Sequence, residues 1–340
     1  MHRAYDAALL DLDGVLYVGR AGVPHAAEAV TAARQAGMRL AFVTNNASRA
    51  PEEVAEHLCR LGVDAAPDDV VTSGQAAARL VAERVPAGSA VLVVGSPALE
   101  RQVAGAGLRP VRTLQDAGPG GPAAVVQGLW PGTTWRDLEQ ATVAVHRGAL
   151  WVAGNVDSTL PGPDGVLPGN GTMVDAVRTA TGREPVVAGK PEPALHEESV
   201  RRVGSRRPLV VGDRLDTDVD GAVRAGADCL LVLTGVVDLA ALLTAPRGSR
   251  PSYVAHDLRA LGRPQLPVQI SGARATCGGW TAVATDGAVV ADGSGQPDDA
   301  LRAACAAAWA AADAGTPVRA ASGLPAPAPP VEPATAGCGA

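Results

Sequence analysis

Short apolar runs alternate with segments of helical spacing through the first 62 residues. Residues 7–11, Ala-Ala-Leu-Leu-Asp, predict a strand that stops at the turn-forming Gly14. Residues 25–37 carry helical spacing and end at a glycine, as helices often do. Residues 38–44 predict a second strand, and 51–62 a second helix with Pro51 in its first turn. Strand, helix, strand, helix at this spacing predicts a parallel α/β sheet buried on both faces. Similar units return at 185–188, 208–212 and 228–234, with a helix near 218–225 between the last two. The middle of the chain, 78–184, has strands of its own at 90–94, 123–127 and 149–153, and helices at 97–105 and 135–147. Spacing alone leaves this module either inserted in the first or one of three in a row. After residue 262 the pattern changes. A hairpin is expected over 281–292 around Asp286-Gly287, then an alanine-rich helix over 297–314. From Thr316 proline and alanine dominate, and no element is assigned.

Length and composition narrow the class. A chain of 340 residues makes two domains or three, and 47% apolar residues supply a sizeable core. With 19% charged residues and a net charge of −6, it neither repels itself open nor coats nucleic acid. Aromatics are few (Phe42 is the single phenylalanine), so aliphatic side chains must fill the interior. The five cysteines Cys59, Cys229, Cys277, Cys305 and Cys338 are scattered, with no Cys-x-x-Cys pair, so no disulfide framework or zinc ribbon is encoded. Asp6, Asp11 and Asp13 interrupt the start where a signal peptide needs an apolar stretch, and no run of about 18 apolar residues occurs. The expected compartment is the reducing cytoplasm.

Chemistry gathers at predicted strand ends. Asp11-Leu-Asp13-Gly14 closes the first strand, and residues two apart on a strand point the same way. Open parallel sheets bind ligands at this edge. Alone, the pair is better read as a solvated strand end. Val43-Thr44-Asn45-Asn46 closes the second strand with a hydroxyl and two amides suited to an anion's oxygens, or to an ordinary helix cap. Gly189-Lys190-Pro191 is no Walker A loop, since six residues separate Gly189 from Gly182 and proline follows the lysine. Lys190 is then a single cation. Gly212-Asp213 to Asp218 ends a further apolar strand with acids five apart. Four carboxylates against one lysine in one cleft would raise one another's pKa values and repel. A hard divalent cation relieves this, and oxygen donors select Mg²⁺.

In this order the four segments resemble the haloacid dehalogenase-like phosphatase superfamily, whose pattern is DxD, then Ser or Thr, then Lys, then GDxxxD. The resemblance covers about residues 5–262. The strings DLDGVLYVG, FVTNNAS, AGKPEP and VGDRLDTDVDGA are similar to the subgroup with a large α/β cap between the second and third motifs. It implies a Rossmann-like parallel-sheet α/β core formed by 1–77 plus 185–262, with an inserted C2-type cap over 78–184. The whole chain looks most like actinobacterial phosphatases of glycerol 3-phosphate. There the tail resembles half of a GNAT-type acetyltransferase fold, which implies a small α+β appendage at 266–315 and a disordered stretch at 316–340.

The same resemblance implies roles. Asp11 is the nucleophile that forms an aspartyl-phosphate, and Asp13 the acid and then the base. Mg²⁺ is held by the Asp11 carboxylate, the Asp13 carbonyl and the Asp213 carboxylate. Thr44, Asn45 and Asn46 hold the phosphoryl oxygens, Lys190 offsets their charge, and Asp218 orients Lys190 or a metal-bound water. Asn155 and Asp157, with Arg214-Leu215-Asp216, are the polar candidates to meet the leaving group. The segment Ser158-Thr159-Leu160 lacks the histidine of vertebrate pyridoxal phosphate phosphatases, which disfavours that substrate. Asp13 disfavours dehalogenation, which needs no second aspartate. The expected partner is a small phosphorylated metabolite such as glycerol 3-phosphate, with phosphoglycolate, pyridoxal phosphate or a nucleoside monophosphate as alternatives. Neither nucleic acid nor membrane is expected, and a homodimer is left open. Acetyl transfer or protein interaction by the tail is a different-class alternative. Acetyl transfer needs a glycine-rich loop opening a helix, whereas residues 274–279 lead into a strand. A non-catalytic phosphosugar sensor ranks low because both aspartates are present.

Overall fold

The computed structural model describes residues 1, 3–162 and 165–325. Cys338 and the rest of the expected tail from residue 326 lie outside the described residues. Two compact units divide the chain: Met1–Leu40 with Cys59–Asp64 and Ser205–Ala340, and Ala41–Leu58 with Ala65–Gly204.

The first unit contains four parallel strands in the order Tyr253–Ala255, Asp228–Val232, Pro208–Gly212, Ala7–Asp11. Ala7, Ala8, Leu9 and Leu10 are all buried, as are Leu209, Val210 and Val211. Such unbroken apolar runs belong to strands covered on both faces. Helix Ala26–Gln35 turns Ala26, Ala29, Val30 and Ala33 inward, spacings that keep one helical face. Its chain leaves through Gly37 at φ 88°, where the Gly37 and Met38 N–H groups donate back to Arg34 and Ala33.

In the second unit five parallel strands run in the order Val186–Val187, Leu150–Ala153, Ala124–Gln127, Ala90–Val94, Arg109–Val111. Leu92, Val94, Val125, Val145, Trp151, Val174 and Val177 fill the core on one side. The Trp151 indole N–H donates to Gln127 Oε1 at 3.1 Å, which satisfies the oxygen of this buried amide. Thr134 and Asp137 cap helix Trp135–His146 reciprocally, which explains its sharp start. The pair Arg39–Thr44 and Val70–Thr72 is also parallel, with Phe42 opposite Val70.

Three expectations need correction here. The strand at 185–188, grouped with the late units by spacing, pairs instead with Leu150–Ala153, because Val186 and Val187 register with Val152 and Ala153. The expected helix at 218–225 begins as a π turn, Leu215–Val219, and only then continues as Asp220–Arg224. The stretch from Thr316 contains a strand, Ala320–Ser322, which pairs in parallel with Ala288–Gly293. The strand is too short for its alternation to stand out from the proline-alanine bias around it. Helix Asn170–Thr181 and hairpin Thr159–Gly162 with Gly165–Pro168 are further elements the periodicity does not announce.

The carboxyl-terminal sheet belongs to the first unit. Its order is Gln269–Ser271, Arg274–Cys277, Trp280–Thr285, Ala288–Gly293, Ala320–Ser322. The expected hairpin turn is at Asp286 and Gly287, with φ of 48° and 77°, as a two-residue I′ turn requires. Helix Pro297–Asp313 lays Ala300, Ala303, Ala304, Ala307, Ala308 and Ala311 inward. No helix among the described residues is long and apolar enough to cross a membrane.

Candidate active site

In the first unit, strand Ala7–Asp11 delivers Asp11 to its carboxyl end, and the chain then turns tightly. The Leu12 carbonyl accepts from Leu16 N–H at 2.8 Å, and Gly14 N–H donates to the Tyr17 carbonyl at 2.8 Å. Gly14 sits at φ 84°, a left-handed position that suits glycine. Asp11 is half-buried and Asp13 exposed on this turn. Strand Pro208–Gly212 delivers Asp213, fully buried, and the π turn brings Asp218, also fully buried, back towards it. Carboxylate oxygens of Asp11, Asp213 and Asp218 lie within 4.8 Å of one another.

That cluster is built, not incidental. Asp218 Oδ2 accepts the backbone N–H groups of Asp213 (3.2 Å) and Arg214 (3.1 Å), so it shapes the loop that presents Asp213. Asp213 Oδ2 accepts the Val236 N–H at 2.7 Å. A Cβ on Gly14 would come within 2.3 Å of Asp213 Oδ2, and one on Gly235 within 2.0 Å. Two glycines therefore leave room for one carboxylate. Like charges this close repel by roughly 3–4 kcal/mol per pair at an effective dielectric of 20. Hard oxygen donors under that repulsion fit a small divalent cation, and the donor set suits Mg²⁺.

The second unit contains the other expected residues, gathered around Asn45. Thr44 is buried, and its Oγ1 accepts the Asn46 N–H at 3.1 Å. The Asn45 amide pairs with the Lys190 backbone in both directions, Nδ2 to the carbonyl at 3.0 Å and Oδ1 from the N–H at 2.7 Å. Nδ2 also donates to Asp157 Oδ2 at 3.3 Å. The Asn45 carbonyl accepts Ser73 Oγ at 2.6 Å and Asn155 Nδ2 at 2.7 Å. Asn155 Oδ1 in turn accepts the Asp157 N–H at 3.2 Å. Lys190 is buried. A Cβ on Gly189 would stand 2.5 Å from the Gly154 carbonyl, so only glycine lets the Lys190 loop approach. Asn46 Oδ1 accepts the Ser48 N–H and hydroxyl, at 2.8 and 2.6 Å.

The structure thus brings Asp11, Asp213 and Asp218 together in one unit, and Thr44, Asn45, Asn46, Asn155, Asp157 and Lys190 in the other. It also changes what several of them do. Both Nδ2 hydrogens of Asn45 are engaged inside the scaffold, which leaves its side chain no donor for a phosphoryl oxygen. Asn155 is 5% exposed and braces the same loop. Arg214 and Asp216 pair with each other, Nε to Oδ1 at 3.0 Å and Nη2 to Oδ2 at 2.6 Å. The hydrogen bonds from Arg214 hold the Asp216 carboxyl below its ordinary range despite partial burial. Sequence reasoning misses Ser73 and the Thr234-Gly235-Val236 loop. The signal for the loop is the one used elsewhere, a hydroxyl and a glycine at the carboxyl end of an apolar strand.

Comparison with known proteins follows this geometry. A haloacid dehalogenase-like hydrolase model matches residues 8–109, a second HAD-hydrolase-like model matches 187–261, and a GCN5-related N-acetyltransferase-like model matches 277–326. D-glycerol 3-phosphate phosphatase of Mycobacterium tuberculosis is 47% identical over 316 residues, 90% of this chain and 86% of its own. An acid sugar phosphatase of Staphylococcus aureus is 34% identical over 239 residues, 70% of this chain and 90% of its own. The crystal structure of the mycobacterial glycerol phosphate phosphatase with magnesium has a TM-score of 0.80 at 45% identity, covering 94% of each chain. A p-nitrophenyl phosphatase of Archaeoglobus fulgidus has a TM-score of 0.68 at 30% identity, covering 75% of this chain and 97% of its own. The parallel strands, the acids at their carboxyl ends and these likenesses have one reading: the chain belongs to the haloacid dehalogenase-like hydrolases.

Proposed function

We propose that this chain is a Mg²⁺-dependent phosphatase whose substrate is glycerol 3-phosphate. The observation that carries it is the gathering of the Asp11, Asp213 and Asp218 oxygens within 4.8 Å at the ends of buried parallel strands. The substrate rests on the mycobacterial relative named above. By function, residues 1–77 with 185–262 form the catalytic core, 78–184 the cap, 266–315 an acetyltransferase-like appendage and 316–340 a tail, except that strand Val186–Val187 joins the cap's sheet and strand Ala320–Ser322 the appendage's. The partner is a small phosphorylated metabolite, with no nucleic acid, and the compartment is the cytoplasm.

In the proposed reaction an Asp11 carboxylate oxygen attacks phosphorus as the ester P–O bond breaks. The departing alkoxide takes the Asp13 proton. Water then attacks the same phosphorus, Asp13 takes its proton, the bond to Asp11 breaks, and inorganic phosphate leaves. Exposure of Asp13 on its turn suits a group that must exchange protons with two different oxygens. Asp11, Asp213 and the Asp13 carbonyl would hold Mg²⁺, which when bound offsets charge on the transferring group. Thr44, Asn46 and Lys190 would receive the phosphoryl oxygens. Asn45, Asn155 and Asp157 would set the Lys190 loop, and Asp218 the loop of Asp213.

Acetyl transfer by the appendage is not favoured. A glycine-bearing segment does open a helix, at 293–296 ahead of Pro297–Asp313, and not at 274–279 as weighed from sequence. Gly293 serves close packing, since a Cβ there would stand 2.3 Å from the Gly279 carbonyl. Asp298 and Asp299 occupy the helix's first turn, where a pyrophosphate would need to sit, and are themselves paired with His256 and Arg302.

The test is phosphate release over glycerol phosphates, phosphoglycolate, pyridoxal phosphate and nucleoside monophosphates. Glycerol 3-phosphate is expected to give the highest kcat/KM, and chelation to abolish turnover until Mg²⁺ is restored. Asp11→Asn is expected to lower kcat by about 10³-fold or more. Release that survives both treatments would refute the reading, and preference for another ester would replace the substrate.

A further inference from the structure

Three backbone segments meet at one carboxylate oxygen in the first unit. The loop after strand Asp228–Val232 reaches both acid-bearing turns: Thr234 Oγ1 donates to the Gly14 carbonyl at 2.6 Å, and Val236 N–H donates to Asp213 Oδ2 at 2.7 Å. Val237 N–H adds a bond to the Asp213 carbonyl at 3.1 Å. A Cβ on Gly235 would stand 2.0 Å from Asp213 Oδ2 and 2.7 Å from the Gly14 Cα. The nearest obstacle is the Asp213 carboxylate, and behind it stands the Gly14 backbone, which cannot swing aside. Gly235 is exposed, and its φ is not left-handed, so neither burial nor backbone conformation calls for glycine there. The close approach does.

We propose that Thr234, Gly235 and Val236 are positioning residues that fix the separation between the Asp11–Gly14 turn and the Asp213 carboxylate. The inference rests on the proposed phosphatase reading, in which those two segments share a cation. The Thr234 hydroxyl holds the turn by the carbonyl next to Asp13, the Val236 N–H orients the carboxylate, and Gly235 lets the two come together. Gly235 and Val236 have no side chain able to serve the chemistry, and the Thr234 hydroxyl donates its proton to the Gly14 carbonyl. A turn and a carboxylate oxygen already held by hydrogen bonds need less reorganisation when a ligand arrives, which is the role of supporting residues around a metal site.

The test compares Thr234→Val, which deletes the donor at nearly constant volume, with Thr234→Ser, which keeps it, and with Gly235→Ala. Mg²⁺ binding is measured by calorimetry without substrate, and kcat and KM for glycerol 3-phosphate are measured separately. Thr234→Val is expected to weaken Mg²⁺ binding by about tenfold, the loss typical of a supporting hydrogen bond. It should lower kcat similarly, with KM changing less than about twofold. Thr234→Ser is expected to restore both, and Gly235→Ala to weaken Mg²⁺ binding at least as much as Thr234→Val. Wild-type Mg²⁺ affinity in Thr234→Val, or a Thr234→Ser variant as impaired as the valine, would overturn the proposal. If the wild-type protein binds Mg²⁺ yet releases phosphate from no ester, the phosphatase reading fails while calorimetry still decides the positioning role.

Discussion

Asn45 shows how one side chain can brace a backbone segment far along the chain. Its amide reads the Lys190 backbone as a neighbouring strand would, donating to the carbonyl and accepting from the N–H. Asn45→Ala would leave both Lys190 groups without that partner, at an expected loss of about 1–3 kcal/mol, read as a lower urea midpoint. Asn45→Asp keeps the acceptor, deletes both donors and adds a charge near Asp157, so it is expected to be at least as damaging. An unchanged midpoint in both variants would show that the network is dispensable. This residue also marks where sequence reading stops. Asp11, Asp213 and Asp218 are legible because acids at the ends of apolar strands have a residue-type signature. Asn45 is legible as important, but its partner is a backbone 145 residues away, and no local pattern encodes that. Thr234-Gly235-Val236 is harder still, since it acts through one hydroxyl, a missing Cβ and an N–H that every residue but proline has.

At the scale of elements, the strand that carries Asp11 is anchored at its other end by Asp6. The Asp6 carboxylate accepts the Ser205 hydroxyl, the backbone N–H groups of Arg206 and Arg207, and Arg39 Nη2 at 2.8 Å. The Ser205 hydrogen bond, with those N–H groups, holds the Asp6 carboxyl down to about 2. An unfolded aspartate titrates near 3.9, so this contribution is fully present above about pH 4 and is lost as pH falls through about 2. The gap in thermal midpoint between wild type and Asp6→Asn is therefore expected to be complete at about pH 6 and to close by about pH 2. A gap that persists at the acid end would show that the residue acts by packing. Elements with a clean period, such as Pro97–Gly105 and Pro297–Asp313, are where the sequence predicts them, within a residue. The π turn is not legible, because an extra residue in a helical start leaves no trace in polarity. Its effect is chemical nonetheless: Asp218 turns inward to cap the Asp213 loop, while Asp216 stays out with Arg214.

For the molecule as a whole, the carboxyl-terminal module is continuous with its unit. Trp309 Nε1 donates to the Leu242 carbonyl at 3.0 Å, and Arg250 makes a two-pronged ion pair with Asp313 at 2.9 Å. Arg302 reaches Gln265 and the Leu266 carbonyl, and His256 pairs with Asp298 at 2.7 Å. A chain ended after residue 265 is expected to lose roughly 5 °C or more of thermal midpoint and to bind a hydrophobic dye, because it loses these contacts together with the buried alanine face of helix Pro297–Asp313. An unchanged midpoint would make the module a detachable passenger. The location of Thr234 has a last consequence, for biosynthesis. Proteins emerge from the ribosome amino end first, and the hydroxyl that tethers Gly14 is encoded 220 positions later. A nascent polypeptide can pleat its opening strand early, yet the Val236 N–H that orients the Asp213 carboxylate is in place only once the loop beyond Leu233 has been translated and has docked. Competence to hold an ion therefore arrives late in elongation, and truncated products of stalled translation would be left inert.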